Sequence, residues 1–563
     1  MLRLNCMVFV LFMVLCIGVH AIQDKFEGNI IQNSLDEFIS IDCSEIKDPE
    51  ERAECLGKVD DLLDSKFDDW SLLDKRDISQ LTGSSDPHQV YDWRPVSINI
   101  EPGQALQYRF EINTTHPYNQ VFYQVLVYIT GNLCNHPIGL SNPNDYLTLF
   151  YGLNDTGIFE NTTSEDLHES HKSEGFENGY LQATSYTTVK TNGTYYLDML
   201  LVADDVPDFN GSFTVQLGVS QDDLLFQWDN RTWINLVDSD DTTALFITGN
   251  LTTKYNNATD ILSASSNYYT IHVFHDEQSN YFSNMYRSWC SIVNSVPLVP
   301  PENITYSFTQ RGGGIKEQIY VRGLQPSTDY IAYVTQDFSN KDDGGVVFDR
   351  ISFRTKDPDI CQLVFNLTFC DNVAYSVPRS SNLEIGSDFA NLGRLYDEYA
   401  EEAFGNFSKA LDQIPCDAEN DQRYSPIVTC DDCRTSYKNW LCGVTIPRCT
   451  TENQTHYKHR PLGESRMDFI NDSIDPPSEY FEVLPCINMC YAMVRDCPAD
   501  FSFSCPRDNA SLVKSYYYKD DDYSYDTCNY VGIIPKTSGA IHDVVMNKGI
   551  LFVSLMFIGF VLG

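Results

Sequence analysis

Cysteine is the residue type whose number and spacing carry most of the chemistry in this 563-residue chain. Twelve of its 18 cysteines fall between Cys361 and Cys528, where the sequence reads YKNWLCGVTIPRC, then PCINMCYAMVRDC, then SFSCP. Cysteines this dense ligate zinc, exchange redox equivalents or staple the chain. The compartment decides among the three. Residues 1–21 hold one Arg, a long apolar run and small residues at Val19 and Ala21, the form of a secretory signal peptide cleaved after Ala21. Cleavage removes Cys6 and Cys16 and leaves 16 of the 18, an even number in an oxidising compartment, which reads as disulfides. Cys430 and Cys433 have the Cys-x2-Cys spacing of a redox motif or a zinc knuckle, but in a secreted chain they read as part of the staple. Connectivity stays open at this level, since even six cysteines allow 15 arrangements.

Other chemistry-bearing clusters are weaker. His168-Glu169-Ser170-His171 lacks the helical four-residue His spacing of a zinc protease and sits in a polar, glycosylated stretch. No Gly-x-Ser-x-Gly elbow and no Gly-rich phosphate loop is present. Asp337–Asp349 holds four Asp and two Gly but fails the spacing of a calcium loop. Asp520, Asp521 and Asp522, among Tyr516, Tyr517, Tyr518, Tyr523 and Tyr525, read as a solvated acidic loop, with a cation path or a partner contact as the alternative. The expectation is a non-enzyme with no cofactor and no metal site. A net charge of −41 argues against nucleic acid and anionic lipid as partners and concentrates cations nearby.

Asn113, Asn154, Asn161, Asn192, Asn210, Asn230, Asn250, Asn257, Asn303, Asn366, Asn406, Asn453, Asn471 and Asn509 each open a glycosylation sequon. At the C-terminus, the apolar run from Ile550 to Gly563 would span about 21 Å as a helix, short of a hydrocarbon core of roughly 30 Å. Small residues Ser538, Gly539 and Ala540 precede it by a short spacer, the pattern of a glycosylphosphatidylinositol signal with Ser538 or Gly539 as the attachment site. A retained helix from Val544 is the competing reading, and it would bury Asn547 and Lys548 in lipid.

The elements that must position these groups fall into six spans. After the signal peptide (1–21), residues 22–85 are acidic and helical in pattern. Asp48-Pro49-Glu50-Glu51 starts a helix there, and Cys43 and Cys55 are close enough to clip it to the preceding segment. Lys75-Arg76 is a dibasic pair in a linker. Residues 86–220 alternate with period two, as in Val96, Ile98 and Ile100 or Phe213, Val215, Leu217 and Val219, and predict an antiparallel β-sandwich with a long loop from Asn154 to Gly179. Residues 221–357 predict a second sandwich. Its Leu324, Pro326 and Tyr330 resemble the tyrosine corner of fibronectin type III domains. Cys134 and Cys290 each lack a partner within their own sandwich and would bridge the two. Residues 358–533 hold the cysteine cluster and a helix over 388–414, with Leu392, Tyr396, Phe407 and Leu411 on one face, and are expected to be mostly α-helical. Residues 534–563 form the anchor signal.

Three features of the cysteine region taken in order resemble the frizzled-type cysteine-rich domain. They are the Cys361-x8-Cys370 opening with Tyr375 and Pro378, the WLC and PRC at Cys442 and Cys449, and the Cys486-x3-Cys490-x6-Cys497 helix. That resemblance implies the pairs Cys361–Cys449, Cys370–Cys442, Cys433–Cys497, Cys486–Cys528 and Cys490–Cys505, with Cys416 and Cys430 left to each other. The full layout, and the run CDDCRTSYKNWLCGVTIPRC in particular, resembles the fungal mating-induced death protein family over most of the mature chain. The resemblance implies an accessory component of a stretch-activated plasma-membrane calcium channel, joined to a large four-repeat pore-forming subunit and needed for calcium influx. Animal relatives of the cysteine module sit on the outer face of a sodium-leak channel of the same pore class. The added cysteine pair and the long acidic insert from Thr450 to Leu484 depart from the frizzled pattern and put lipid or morphogen binding in doubt. A lipid-anchored cell-wall or adhesion glycoprotein with no channel partner is the alternative expectation.

Overall fold

The computed structural model describes residues 87–531 apart from short internal stretches, the longest being 114–123, 253–260 and 518–527. The signal peptide, the 22–85 segment with Cys43 and Cys55, the Lys75-Arg76 pair, the Asp520–Asp522 run and the anchor signal with Ser538 and Gly539 all lie outside the described residues.

The alternating pattern of the first span builds β1 (His88–Val90), β2 (Val96–Ile100), β3 (Ala105–Ile112), β4 (Gln124–Asn135), β5 (Leu147–Leu153), β6 (Lys172–Gly175), β7 (Tyr180–Thr188), β8 (Tyr195–Ala203) and β9 (Phe213–Ser220). They form two sheets, β1-β3-β8-β5-β6 and β2-β9-β4-β7. Because side chains alternate across a strand, one face of each sheet is apolar. Ile98, Phe110, Val127, Leu149, Met199 and Val215 meet in a single core between the sheets. The stretch expected as a loop from Asn154 to Gly179 contains β6, which pairs with β5.

The second pair of sheets comprises β10 (Phe226–Asp229), β11 (Ile234–Ser239), β12 (Thr243–Thr248), β13 (Thr270–His275), β14 (Ile304–Thr309), β15 (Lys316–Arg322), β16 (Asp329–Asp337), β17 (Gly345–Phe348) and β18 (Ile351–Arg354), with α1 (Trp289–Asn294) beside them. One sheet runs β10-β17-β16-β13, with β18 also on β16, and the other runs β11-β12-β15-β14. Neither sandwich is wholly antiparallel, because β1 runs parallel to β3 and β10 runs parallel to β17. Both are short added strands that no alternation pattern could orient. The Tyr330 hydroxyl accepts a hydrogen bond from the Gln325 amide at 2.8 Å, which closes the corner ahead of β16.

The two pairs of sheets are stitched together at α1. Cys134 at the end of β4 is bonded to Cys290. Ser288 donates to the Leu133 carbonyl at 2.7 Å, and the Trp289 amide donates to Asn132 Oδ1 at 3.1 Å. Gly179 sits here at φ +85, where a Cβ would come within 2.9 Å of the Met285 backbone, so this close approach requires glycine.

Within the second core, Glu317 is buried and accepts the Tyr268 and Tyr269 amides, each at 3.1 Å. Burial pushes its carboxyl up to about 7, against those two amides. A carboxyl raised in the folded state costs stability where it is charged, and the cost disappears as pH falls through about 7 toward the ordinary Glu range. Glu317→Gln is therefore expected to be more stable relative to the native chain at pH 8 than at pH 5. Thermal melts of the two proteins across that range check it, and a pH-independent difference would refute the assignment.

The C-terminal region contains β19 (Cys361–Val364), β20 (Tyr375–Pro378), α2 (Phe389–Leu411), α3 (Cys430–Thr445), β21 (Arg448–Thr450), β22 (Lys458–Arg460), β23 (Tyr480–Val483), α4 (Ile487–Asp496) and α5 (Asn509–Ser515). The expectation of a mostly α-helical third domain is corrected. A β19-β20 ribbon and a β21-β23-β22 sheet thread the region, and strand outweighs helix among the described residues, 38% against 24%. The strands escaped notice because each is three or four residues long, too short to show a period. The insert after Thr450, expected to be merely acidic, supplies β22 and β23.

Candidate functional site: the disulfide-stapled C-terminal region

Helix periodicity lays the framework of this region. Leu392, Tyr396 and Ala400 of α2 pack on Val364 and Val377 of the β19-β20 ribbon and on Val373 in the connection between its strands. Farther along α2, Phe407 stacks on Tyr437 of α3, with ring centroids 3.6 Å apart. Phe501 and Phe503 close over that pair, and Trp440 Nε1 donates to the Tyr516 hydroxyl at 2.8 Å. α3 starts on a capping box. Thr429 Oγ1 accepts the Asp432 amide, and the Asp432 carboxylate accepts the Thr429 amide at 2.8 Å.

Six disulfides hold the framework: Cys361–Cys449, Cys370–Cys442, Cys416–Cys430, Cys433–Cys497, Cys486–Cys528 and Cys490–Cys505. They place Cys430 and Cys433, neighbours on the first turn of α3, in separate bonds to Cys416 and Cys497. Among the described residues, no group of three or more His, Cys, Asp or Glu side chains is placed to hold a metal. His171 lies against Asp155 at 3.2 Å, and His168 is outside the described residues.

Buried carboxylates do work that the sequence left unread. Asp397 of α2 accepts the amides of Thr368, Phe369 and Cys370 at 2.7 to 2.8 Å, pinning the Cys370 loop to the helix. Glu482 of β23 is fully buried between two guanidinium groups, Arg460 and Arg466, whose Nε atoms each donate at 2.6 Å. The end of β11 with the turn into β12, Asp238-Ser239-Asp240-Asp241, is the most heavily used. Asp238 pairs with Lys356 and with Arg448 Nε at 3.2 Å, and it accepts the Ser376 amide at 3.1 Å. Asp240 accepts the Leu363 amide at 2.9 Å, and Asp241 accepts the Asp359 amide at 3.1 Å. Burial alone would raise the Asp238 carboxyl, but Lys356 and Arg448 outweigh it and hold it below the usual range. Burial, the largest influence on Asp240, raises its carboxyl against the amides of Leu363 and Thr242. Acidic residues in so acidic a chain read as solvated charge. A run of Asp and Thr between two alternating strands is a turn signal, and only the fold shows that this turn is buried.

Of the sequon asparagines, Asn113, Asn154, Asn230, Asn250, Asn366, Asn406 and Asn453 are exposed, and Asn303 and Asn471 are half-buried. Asn161, Asn192, Asn210, Asn257 and the Asn509 side chain lie outside the described residues. Among the described residues, no helix is long and apolar enough to cross a membrane.

Fold and site together define a β-rich, heavily cross-linked, multi-sheet protein whose distinctive part is a stapled scaffold. Comparison with known proteins places it. Residues 126–534 match the Mid1 family, described as "Stretch-activated Ca2+-permeable channel component", and the chain belongs to that family. It is 37% identical over 488 residues to the stretch-activated cation channel MID1 of Saccharomyces cerevisiae, covering 79% of this chain and 87% of that one. It is 35% identical over 353 residues to the stretch-activated cation channel yam8 of Schizosaccharomyces pombe, covering 62% and 70%. The family is one of channel components and not of enzymes. Among solved structures, a glycoside hydrolase domain of Endo-D from Streptococcus pneumoniae covers 46% of the chain at 8% identity, but a TM-score of 0.13 defines no shared fold.

Proposed function

We propose that the chain is an extracellular accessory subunit of a plasma-membrane stretch-activated calcium channel, required for calcium influx through a separate, large, four-repeat pore-forming subunit. The observation that carries this reading is the match to a family of channel components over residues 126–534, a span that contains all of the stapled region. Disulfides form and persist in oxidising compartments, which supports a secretory route and an outer-face location. N-glycans on the exposed sequons and a lipid attached at Ser538 or Gly539 fit the same route. In this reading the C-terminal region docks on outer loops of the pore subunit. Its disulfides hold the docking surface in place beforehand, so little ordering entropy is lost on binding.

Affinity purification of the full chain from detergent-solubilised membranes is expected to bring down a very large polypeptide with many membrane spans. Recovery of the chain without such a partner, under conditions that keep other channel complexes together, would leave a lipid-anchored surface glycoprotein as the better account.

A further inference from the structure

Every described disulfide lies to one side of a single seam. Cys134–Cys290 ties the two pairs of sheets together, and the other six close within residues 361–528. Among the described residues, none joins the second pair of sheets to the C-terminal region. That joint is made by laying the β19-β20 ribbon over the outer face of the β11-β12-β15-β14 sheet, with Val237, Leu245 and Ile247 against Leu363, Phe365 and Ala374.

The two ends of the seam differ. At one end lies the Asp238–Asp241 turn, where buried carboxylates take Lys356, Arg448 and the amides of Leu363, Ser376 and Asp359. The covalent connection between the two parts runs through this end, since the Lys356 amide donates to the Asp240 carbonyl at 3.0 Å. Four residues along β12, a distance of about 13 Å, Ile247 pairs with Gln318 at the other end. There Arg311 is only 5% exposed. Its Nη2 donates to Gln318 at 2.6 Å, while Nε and Nη1 have no hydrogen-bond partner among the described residues. Asp371, whose charge acts on Arg311, is ion-paired with Lys438 at 2.7 Å. A polar link across the seam here runs from Gln318 to Asn366 at 3.3 Å. A buried cation with unsatisfied donors favours any motion that returns it to water.

We propose that this seam is a hinge: the C-terminal region pivots on the Asp238–Asp241 knot and opens at the Arg311 end. Local opening concentrates where buried groups are least satisfied and no cross-link resists it. The inference concerns the chain alone and stands whether or not the channel reading does. Two single-cysteine probes at matched depth along the seam test it in the purified full chain. Ile247→Cys lies at the Arg311 end and Val237→Cys lies beside the knot, and both native residues are buried. Maleimide labelling under native conditions is expected to be at least about tenfold faster at Ile247→Cys, as a locally opening site should be. Adding Arg311→Met, which removes the unpaired charge and keeps an apolar stem, is expected to slow that labelling about tenfold and leave Val237→Cys unchanged. Equal rates at the two probes would overturn the hinge. So would an Arg311→Met variant, secreted and melting like its parent, that labels at the parental rate at Ile247→Cys.

Discussion

Replacing Cys442 or Cys490 with serine is expected to abolish stretch-evoked calcium influx in cells that depend on this chain. Cys442 is buried on α3 and ties it to the loop that Asp397 pins at Cys370. Cys490 is equally buried on α4 and ties it to Cys505, beside the aromatic cluster of Phe407, Tyr437 and Phe503. Losing a native disulfide of this kind costs about 2–5 kcal/mol, and each serine leaves a hydroxyl in an apolar site. A pre-shaped docking surface needs α3 and α4 held against α2, so the loss should appear as failed assembly even when the β-sheets still fold. The Cys416–Cys430 bond, with a sequence separation of 14, sits at the rim with Cys416 half-buried, and replacing both partners is expected to be milder. The measurement is cytosolic calcium by fluorescence, with surface biotinylation alongside. Normal influx at normal surface density in Cys442→Ser or Cys490→Ser would show that the stapled region is not what the channel uses.

The sequence disclosed what repeats, and it hid what depends on distant partners. Period-two runs such as Val96–Ile100 and Phe213–Ser220 became strands because alternating side chains leave them only one face to bury. The helix expected over 388–414 appears as α2 at Phe389–Leu411, with Leu392, Tyr396 and Leu411 inside, as their spacing requires. Family membership was legible in CDDCRTSYKNWLCGVTIPRC, where residue order carries more information than composition. The short strands β19 to β23 were illegible for the opposite reason. At three or four residues each they are too short to show a period, and β21 pairs with β23 some thirty residues on, so their hydrogen bonds leave no local pattern. Asp238, Asp397 and Glu482 drew no reading from the sequence, because what buries them comes from Lys356, Arg448, Cys370 and Arg466, all distant along the chain or in another element. The candidate site is therefore a scaffold whose outline is local and whose fastening is not.

That fastening makes Asp238→Ala the substitution expected to unseat the C-terminal region most severely. The exposed pair Asp329–Arg354 provides the contrast. There both side chains are more than half exposed, and such pairs contribute about 0–1 kcal/mol. Asp238 is 8% exposed and faces Lys356 and Arg448, themselves mostly buried. Its removal strands both cations and frees the Ser376 amide, a loss on the order of 3–5 kcal/mol. For a cooperative unit of 150–250 residues this lowers the melting midpoint by roughly 6–20 °C. The same group gives the sign of an acid effect. Its carboxyl is held below the ordinary range, so its contribution is complete at neutral pH and is lost as pH falls through its lowered folded value. Calorimetry should show the C-terminal transition of the native chain dropping in strong acid, and Asp238→Ala should already be low at pH 7 and lose less on acidification. A midpoint for Asp238→Ala within 1 or 2 °C of Asp329→Ala would mean that the knot does not hold the seam, and the hinge would then lack its pivot.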